Sequence, residues 1–127
     1  MIDIRKRKSH VPNLVFWDIF ITRGDSGYID FDLTNEDGSP IDLENAVVRC
    51  QVREAPNDGV LLFDGIVEID GTKATWHIVP ENTKTAPHDD YYWDVQVEYA
   101  NGDVFTFVPY SYFKIMPEVT KRAEGGD

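Results

Sequence analysis

The sequence predicts an all-β domain, an antiparallel sandwich of about seven to nine strands. Its clearest signal is the run Tyr91–Tyr99, where apolar and polar residues alternate, so that one face of a strand is buried and the other is wet. Asn101-Gly102 then supplies the positive φ angles of a tight hairpin, and a second β-rich run, Val104–Val108, follows. Elsewhere no helical period persists, and turn residues recur at the short spacing typical of a sandwich.

The first half of the chain predicts three alternating strands, at Phe16–Thr22, Tyr28–Thr34 and Val47–Glu54. The residues expected to share one face of each are Trp17, Ile19 and Ile21, then Ile29, Phe31 and Leu33, then Val48, Cys50 and Val52, with Arg49, Gln51 and Arg53 outward on the third. A dense cluster of turn residues, Asn35–Pro40, separates the second strand from the third. The segment Ile41–Asn45, which follows the turn cluster, predicts a single helical turn or an irregular crossing.

In the second half, Leu61–Phe63 and Ile66–Ile69 predict one bent strand or two short strands, broken at Gly65. Asp70-Gly71 is a hairpin signal that leads into the next strand. The remaining elements are a strand, a polar connection and a closing strand, at Ala74–Ile78, Pro80–Asp90 and Tyr112–Met116.

Length and composition predict a single domain. A chain of 127 residues can bury one core without metals or disulfides. The single cysteine, Cys50, lies in an alternating run, and we interpret it as a small buried hydrophobe rather than a reactive thiol. No apolar run reaches membrane-spanning length, and Pro12-Asn13 interrupts any signal sequence, so we expect no membrane partner and no secretion by the usual route.

The net charge of −11 argues against a nucleic-acid partner, because a phosphate backbone would be repelled. The basic residues are concentrated near the N-terminus, at Arg5, Lys6, Arg7 and Lys8 against Asp3. These four cations and one acid give a local charge of +3, which leaves −14 for the rest of the chain. We therefore predict a basic arm over residues 1–14, a β-sandwich over 15–120 and a flexible polar tail over 121–127. The arm is expected either to reach an acidic surface of a neighbouring molecule or to be a loose, solvated end.

No arrangement of residues predicts catalysis. The three histidines, His10, His77 and His88, are scattered, and no Cys/His spacing matches a zinc site. The many carboxylates offer pairs for a hydrolase, but most fall in turns or on outward strand faces, where solubility explains them. We expect no enzyme activity and no cofactor. A small carboxylate-dependent hydrolase is a weaker hypothesis than a structural protein or a binding module.

Three acidic segments could in principle coordinate calcium, namely Asp30 with Asp32, Asp89-Asp90 and Asn35–Gly38. Solvated acids and turn residues are the better interpretation of all three, since Asn35–Gly38 lacks the ligand spacing of a calcium loop. Arg23-Gly24-Asp25 spells a tripeptide that some integrins recognise, but it lies between two predicted strands, where a tight turn requires such residues.

Several segments occur in a definite order: Ile21–Asp25, Asn35–Leu43, Val47–Arg53, Ile78–Thr83, Tyr92–Val97, Asn101–Thr106 and Phe113–Thr120. This order, over roughly residues 15 to 120, resembles the N-terminal domain of phage baseplate upper proteins and its relatives among tailed-phage structural proteins. The resemblance implies an immunoglobulin-like β-sandwich that acts as an assembly module. In that family the domain commonly anchors a larger protein to the baseplate, often as a trimer.

Two departures from the family limit what the resemblance implies. The chain ends within a few residues of the domain, so we expect no receptor-binding or fibre portion. Asp90 also stands where the family often has glycine. Host binding is therefore less well supported than assembly.

We therefore expect a non-enzymatic virion protein of a phage or prophage, in the tail or baseplate and made in the bacterial cytoplasm. Its expected partners are other virion proteins or copies of itself, a homotrimer included. The alternative is a module that binds carbohydrate or a host surface through exposed aromatic side chains. Besides the four cations of the arm, the candidate interaction residues are Tyr92, Asp94, Gln96, Glu98, Tyr110 and Tyr112.

Overall fold

The computed structural model describes residues 2–8, 15–33, 39 and 41–119, and within them the protein is almost entirely β. Its elements are β1 (Ile2–Lys8), β2 (Val15–Thr22), β3 (Gly27–Asp32), β4 (Val47–Arg53), β5 (Leu61–Asp64), β6 (Ile66–Asp70), β7 (Lys73–Ile78), α1 (Pro80–Lys84), β8 (Asp90–Glu98) and β9 (Val104–Met116). Six strands form one sheet in the order β1-β2-β9-β8-β4-β5, and three form another in the order β3-β7-β6. The all-β prediction is confirmed.

The strand pairings are antiparallel with one exception. β2 and β9 run parallel, with Ile19 opposite Phe113 and Ile21 opposite Ile115. The sequence predicted a purely antiparallel arrangement. These two strands come from opposite ends of the chain, so no hairpin turn dictates their relative direction.

The predicted inward faces are confirmed strand by strand. Along β8, the side chains of Tyr91, Trp93, Val95 and Val97 are at most 2% exposed. The same alternation buries further side chains of β3, β4 and β7, namely Ile29, Phe31, Val48, Cys50, Val52, Ala74, Trp76 and Ile78. Alternation with a period of two therefore sends one row of each strand into a shared core.

Aromatic side chains join the two sheets into a sandwich-like unit. Trp76 of the three-stranded sheet lies 5.1 Å from Trp93 and 6.1 Å from Phe113 of the six-stranded sheet, measured between ring centroids. Phe31, also of the smaller sheet, lies 5.1 Å from Trp17. Each of these rings removes a large apolar area from water, so these contacts dominate the packing of one sheet on the other.

Gly65 is the point at which the chain leaves one sheet and enters the other. β5 ends in the six-stranded sheet and β6 begins in the three-stranded sheet, so the structure has two short strands here rather than one bent strand. A Cβ atom on Gly65 would lie 2.3 Å from Nε1 of Trp76, closer than real Cβ atoms approach. The backbone N–H of Gly65 donates to the carbonyl of Cys50 at 2.6 Å. Glycine is therefore required by close approach to the indole.

The predicted hairpin after β8 is present, but its turn is longer than the two residues expected. Only Gly102 has a positive φ angle, of 93°, whereas Asn101 does not. The N–H of Gly102 donates to Tyr99 O at 2.9 Å, and the N–H of Asp103 donates to the side chain of Asn101 at 2.9 Å. Asn101 thus contributes its side-chain oxygen rather than its backbone conformation.

Of the two alternatives predicted for Ile41–Asn45, the structure has the irregular crossing, since the segment contains no helical turn and Asn45 takes a positive φ angle of 60°. The connection Pro80–Asp90 differs from the prediction. The polar connection contains the helix α1, with Pro80 at its first position and the N–H of Val79 donating to Asn82 Oδ1 at 2.8 Å. Proline suits the first position of a helix because it has no backbone N–H, and an N–H at that position would find no acceptor within the helix. The predicted tail, residues 121–127, lies outside the described residues.

Gly65→Ala should destabilise the protein by about 2 kcal/mol or more, because its methyl group overlaps the indole of Trp76. In a Trp76→Phe background the same substitution should cost at least about 1 kcal/mol less, since Nε1 is gone. Urea denaturation of the four proteins measures this coupling. Gly71→Asn is the control and should change stability by less than about 0.5 kcal/mol, because no atom lies near its Cβ position and Asn accepts a positive φ. If the losses of stability from the Gly65 and Trp76 substitutions simply added, the close approach of Gly65 to the indole would be contradicted.

Candidate interaction face of the six-stranded sheet

The six-stranded sheet turns one face to the core and the other, here called the outer face, to solvent. Its side chains are Arg5 and Arg7 of β1, Phe16, Asp18 and Phe20 of β2, Tyr110, Tyr112 and Lys114 of β9, Tyr92, Asp94, Gln96 and Glu98 of β8, and Arg49, Gln51 and Arg53 of β4. The structure therefore brings eight of the ten predicted interaction residues onto one surface. Lys6 and Lys8 alternate to the opposite side of β1.

The described part of the predicted basic arm is a strand. Residues 2–8 pair along their whole length with β2, so the domain begins before residue 15. Three successive cations lie 4.3 to 4.8 Å from aromatic ring centroids of β2: Arg5 over Phe20, Lys6 over Trp17 and Arg7 over Phe16. The side chains of Arg5, Lys6 and Arg7 thus contact rings of the chain's own second strand, which corrects the prediction of a loose end for these residues.

Arg7 also satisfies a buried carboxylate. Asp18 is 5% exposed and accepts hydrogen bonds from Nε and Nη2 of Arg7, the latter at 3.0 Å. The backbone N–H of Tyr112 donates to the same carboxylate at 3.0 Å. The hydrogen bonds to Asp18 raise the pKa of Arg7. One carboxylate thereby connects β1, β2 and β9, three neighbours in the sheet.

Four aromatic rings form a cluster on the outer face, here called the tyrosine patch: Phe16, Tyr92, Tyr110 and Tyr112. Neighbouring ring centroids are 5.5 to 6.2 Å apart. Tyr110 is 56% exposed and Tyr112 is 39% exposed. Arg7 and Lys114 lie 5.0 and 5.1 Å from the ring of Tyr112. Solvent-exposed tyrosine beside arginine is the composition found at the centres of protein–protein interfaces.

A concave region of about 560 Å³, here called the groove, lies beside the tyrosine patch. Its walls come from β4, β8, β9 and the loop after β4, and its main polar lining is Arg49, Gln51, Arg53, Asn57, Asp94 and Gln96. Two of its cations are held by partners, since Arg49 bonds Glu98 at 2.5 Å and Arg53 bonds Gln51 at 2.8 Å. The groove therefore presents oriented polar groups with little net charge.

Among the described residues that line the groove, Asp94 is the charged one whose side chain has no hydrogen-bond partner. It is partly buried, and none of the described residues donates a hydrogen bond to its carboxylate. Burial raises the pKa of Asp94, an effect that the nearby cation of Arg53 opposes only in part. The register between β8 and β9 shifts at this point, so Asp94 has no partner residue on β9. Pro109, which cannot donate to the ladder, lies within the shifted segment.

The other acidic candidates have structural partners. Asp30 accepts from the hydroxyl of Thr75 at 2.8 Å, and Asp90 lies 3.2 Å from Nζ of Lys114. The described residues contain no group of three or more His, Cys, Asp or Glu side chains that could hold a metal ion. Asn35–Gly38 lies outside the described residues.

Arg23-Gly24-Asp25 forms a turn, as predicted, and its arginine points inward. Arg23 donates to the carbonyls of Thr83, Ala86 and His88 and to Asp89 Oδ1, at 2.8 to 3.1 Å. Gly24 has a φ angle of 83°, and its N–H donates to the hydroxyl of buried Thr83 at 2.9 Å. The hydrogen bonds of the tripeptide thus connect the β2–β3 turn to α1 and to the segment after it, and the guanidinium is not free to bind a partner molecule.

Sequence reasoning did not select several residues of the outer face: Phe16, Asp18, Arg49, Gln51 and Arg53. The outward positions of β4 were predicted, but nothing local indicated that β4 and β2 lie on either side of the β8–β9 hairpin. Asp18 carried a weak signal, because it is an acid at an outward position inside an otherwise apolar run.

The sequence matches no known protein-family model, and no curated protein matches it either. Among the described residues, no helix has the length and apolar character needed to cross a membrane.

Arg7→Leu should lower the free energy of unfolding by about 1–3 kcal/mol, because it leaves the buried carboxylate of Asp18 with one backbone donor. Arg5→Leu is the matched control on the same strand. Its ion pair with Asp3 is exposed, so the loss should stay below about 1 kcal/mol. Chemical denaturation at pH 7 compares the two variants, and equal losses would show that Asp18 does not hold β1.

Asp94→Asn should stabilise the protein at pH 7, by up to about 1 kcal/mol because solvent screens a partly exposed group. The folded-state pKa is raised, so the ionised carboxylate destabilises the folded state above that pKa. The gain should therefore disappear as the pH falls below the unfolded-state value of about 3.9. Melting curves across this pH range test it. Glu98→Gln is the control and should show no gain, because Glu98 is paired with Arg49.

Proposed function

We propose that this protein is a non-enzymatic structural component of a phage or prophage virion, an assembly module of the tail or baseplate. It acts through contacts with other virion proteins or with copies of itself. The order of sequence segments that resembles baseplate upper proteins supports the class of protein. The tyrosine patch supports the mode of action, because it is a preformed surface of the kind that proteins bind.

We propose further that the two sheets form an immunoglobulin-like sandwich, and the strand order supports this. In such domains strands B, E and D lie together in one sheet, and strands G, F, C and C′ lie together in the other. The order β3-β7-β6 corresponds to the first set and β9-β8-β4-β5 to the second. The parallel partner of β9, β2, would then be a first strand that has joined the opposite sheet.

The hydroxyl of Tyr91 adds local support for that architecture. Tyr91 stands near the start of β8, and its oxygen accepts a hydrogen bond from the N–H of His88 at 3.0 Å. A tyrosine near the start of strand F that bonds the backbone just upstream is a recurring feature of immunoglobulin-like domains. Burial raises the pKa of Tyr91, which keeps the phenol protonated.

Contacts through a face are better supported than contacts through a sheet edge. β1, at one end of the six-stranded sheet, carries four consecutive cations, and β5, at the other end, has four residues and a register shift. Both features discourage strand-to-strand pairing between molecules. The outer face, by contrast, presents exposed rings beside Arg7 and Lys114.

His77, Ser111 and Cys50, three of the described residues whose side chains can take part in catalysis, lie in structural surroundings. His77 stacks on Tyr28 with ring centroids 4.2 Å apart, and Ser111 donates to Pro109 O at 2.8 Å. Burial raises the pKa of the Cys50 thiol, which suppresses the reactive thiolate. These contacts support a structural rather than an enzymatic role.

Tyr112→Ser should weaken association by about tenfold or more, because tyrosine is enriched among the interface residues whose truncation costs about 2 kcal/mol or more. Light scattering of the purified protein, alone and mixed with the products of neighbouring genes, measures the assembly. Tyr28→Ser is the matched control, an exposed tyrosine on the opposite sheet, and should leave association through the patch unchanged.

A strict monomer that binds none of these proteins would remove the proposal. Equal weakening by both substitutions would show that the tyrosine patch is not the contact surface. Circular dichroism of both variants ensures that they are compared as folded proteins.

A further inference from the structure

We propose that the groove beside the tyrosine patch is a binding site for a neutral carbohydrate. This goes beyond assembly, since it gives the outer face a small-molecule ligand. The proposal depends on shape, on the chemistry of the lining, on unused hydrogen-bonding capacity and on charge balance.

The shape fits a small ligand. The volume of about 560 Å³ lies within the range of small-molecule sites. Tyr92 and Tyr110 contribute to the lining, and the ring of Tyr110 is more than half exposed. The C–H bonds on one face of a sugar ring carry partial positive charge, so they pack favourably on the negative face of an aromatic ring.

The polar lining matches a ligand that both donates and accepts hydrogen bonds. Arg49, Arg53 and Gln51 offer N–H donors, Asp94 offers an acceptor, and Gln96 offers both. A sugar hydroxyl donates once and accepts twice, so neighbouring hydroxyls can use both kinds of group. Planar amide, guanidinium and carboxylate groups beside an aromatic ring therefore suit a polyol.

Unused capacity is concentrated in this region. None of the described residues donates to Asp94, and no hydrogen bond within the described chain engages the side chain of Gln96. Among the described side chains, Nε1 of Trp76 is the buried polar atom without a partner, so water reaches both Asp94 and Gln96 in the free protein. A ligand hydroxyl would replace that water as the donor to Asp94.

The strand irregularity beside Asp94 produces this arrangement. Two register shifts between β8 and β9 surround Val95, and the segment Pro109-Tyr110 is left without partner residues on β8. A regular ladder would pair Asp94 with a residue of β9. Bulges of this kind are common next to binding sites, where they re-aim side chains.

Charge balance selects a neutral ligand. Arg49 is paired with Glu98, and Arg53 faces Asp94 while bonding Gln51 and the carbonyl of Gly59. The charges of Arg49, Arg53, Asp94 and Glu98 sum to zero, so an anion would meet two carboxylates and a cationic peptide would meet two arginines. A neutral saccharide avoids both penalties.

The test is an NMR titration of the isotopically labelled protein with neutral trisaccharides, namely maltotriose, cellotriose, mannotriose and the trimer of N-acetylglucosamine. At least one should produce saturating shifts confined to groove residues. Asp94→Asn, which replaces a charged acceptor with a neutral one, and Gln96→Ala, which removes a hydrogen-bonding side chain, should each weaken that binding roughly three- to tenfold. Glu68→Gln, on the opposite sheet, should leave it unchanged.

No saturating shift with any of the four sugars would overturn the proposal, as would undiminished binding by both groove variants. Tighter binding of inorganic phosphate than of every sugar would overturn the neutral assignment. Because Asp94→Asn is expected to be at least as stable as the parent protein, its loss of binding cannot be attributed to unfolding. Tyr112→Ser should retain the sugar affinity, which separates this site from the assembly contact.

Discussion

The packing of Trp76 against Trp93 is the contact on which the rest of the structure depends. It joins the middle strand of the small sheet to a central strand of the large one, with both indoles almost completely buried. The contact requires Gly65, since any side chain there would occupy the space of the indole. Gly65 is also where the chain changes sheets, so one residue serves the topology and the core together.

Burial of one face determines what the other face can do. With Tyr91, Trp93, Val95 and Val97 in the core, the alternating residues of β8 must face solvent. β8 therefore connects the centre of the core to both the tyrosine patch and the groove. Substitutions on the outer face leave the aromatic core intact, but those at Arg7 and Asp94 also change stability through the contacts described above.

The strands and most of the core were predictable, whereas the roles of individual polar side chains were not. Local alternation identified the inward rows of β3, β4, β7 and β8, and Gly102 and Gly71 marked hairpins. The basic N-terminal residues resembled a free arm because their partners lie on another strand, with Asp18 placed 11 residues after Arg7 in the sequence. Arg23 resembled an exposed ligand for the same reason, since its acceptors lie about 60 residues later in the chain.

The sequence by itself determined that the chain is all-β, which side of most strands is buried, and where glycine permits a turn. Those properties depend on neighbouring residues, through the period of the strand and the steric freedom of φ. Only the tertiary structure decided the strand order, the parallel pairing of β2 with β9, the partner of Asp18 and the groove beside Asp94. These features depend on contacts between segments that are distant in the sequence. Alternative strand pairings differ in how well the whole core packs, and no local pattern of residues reports that difference.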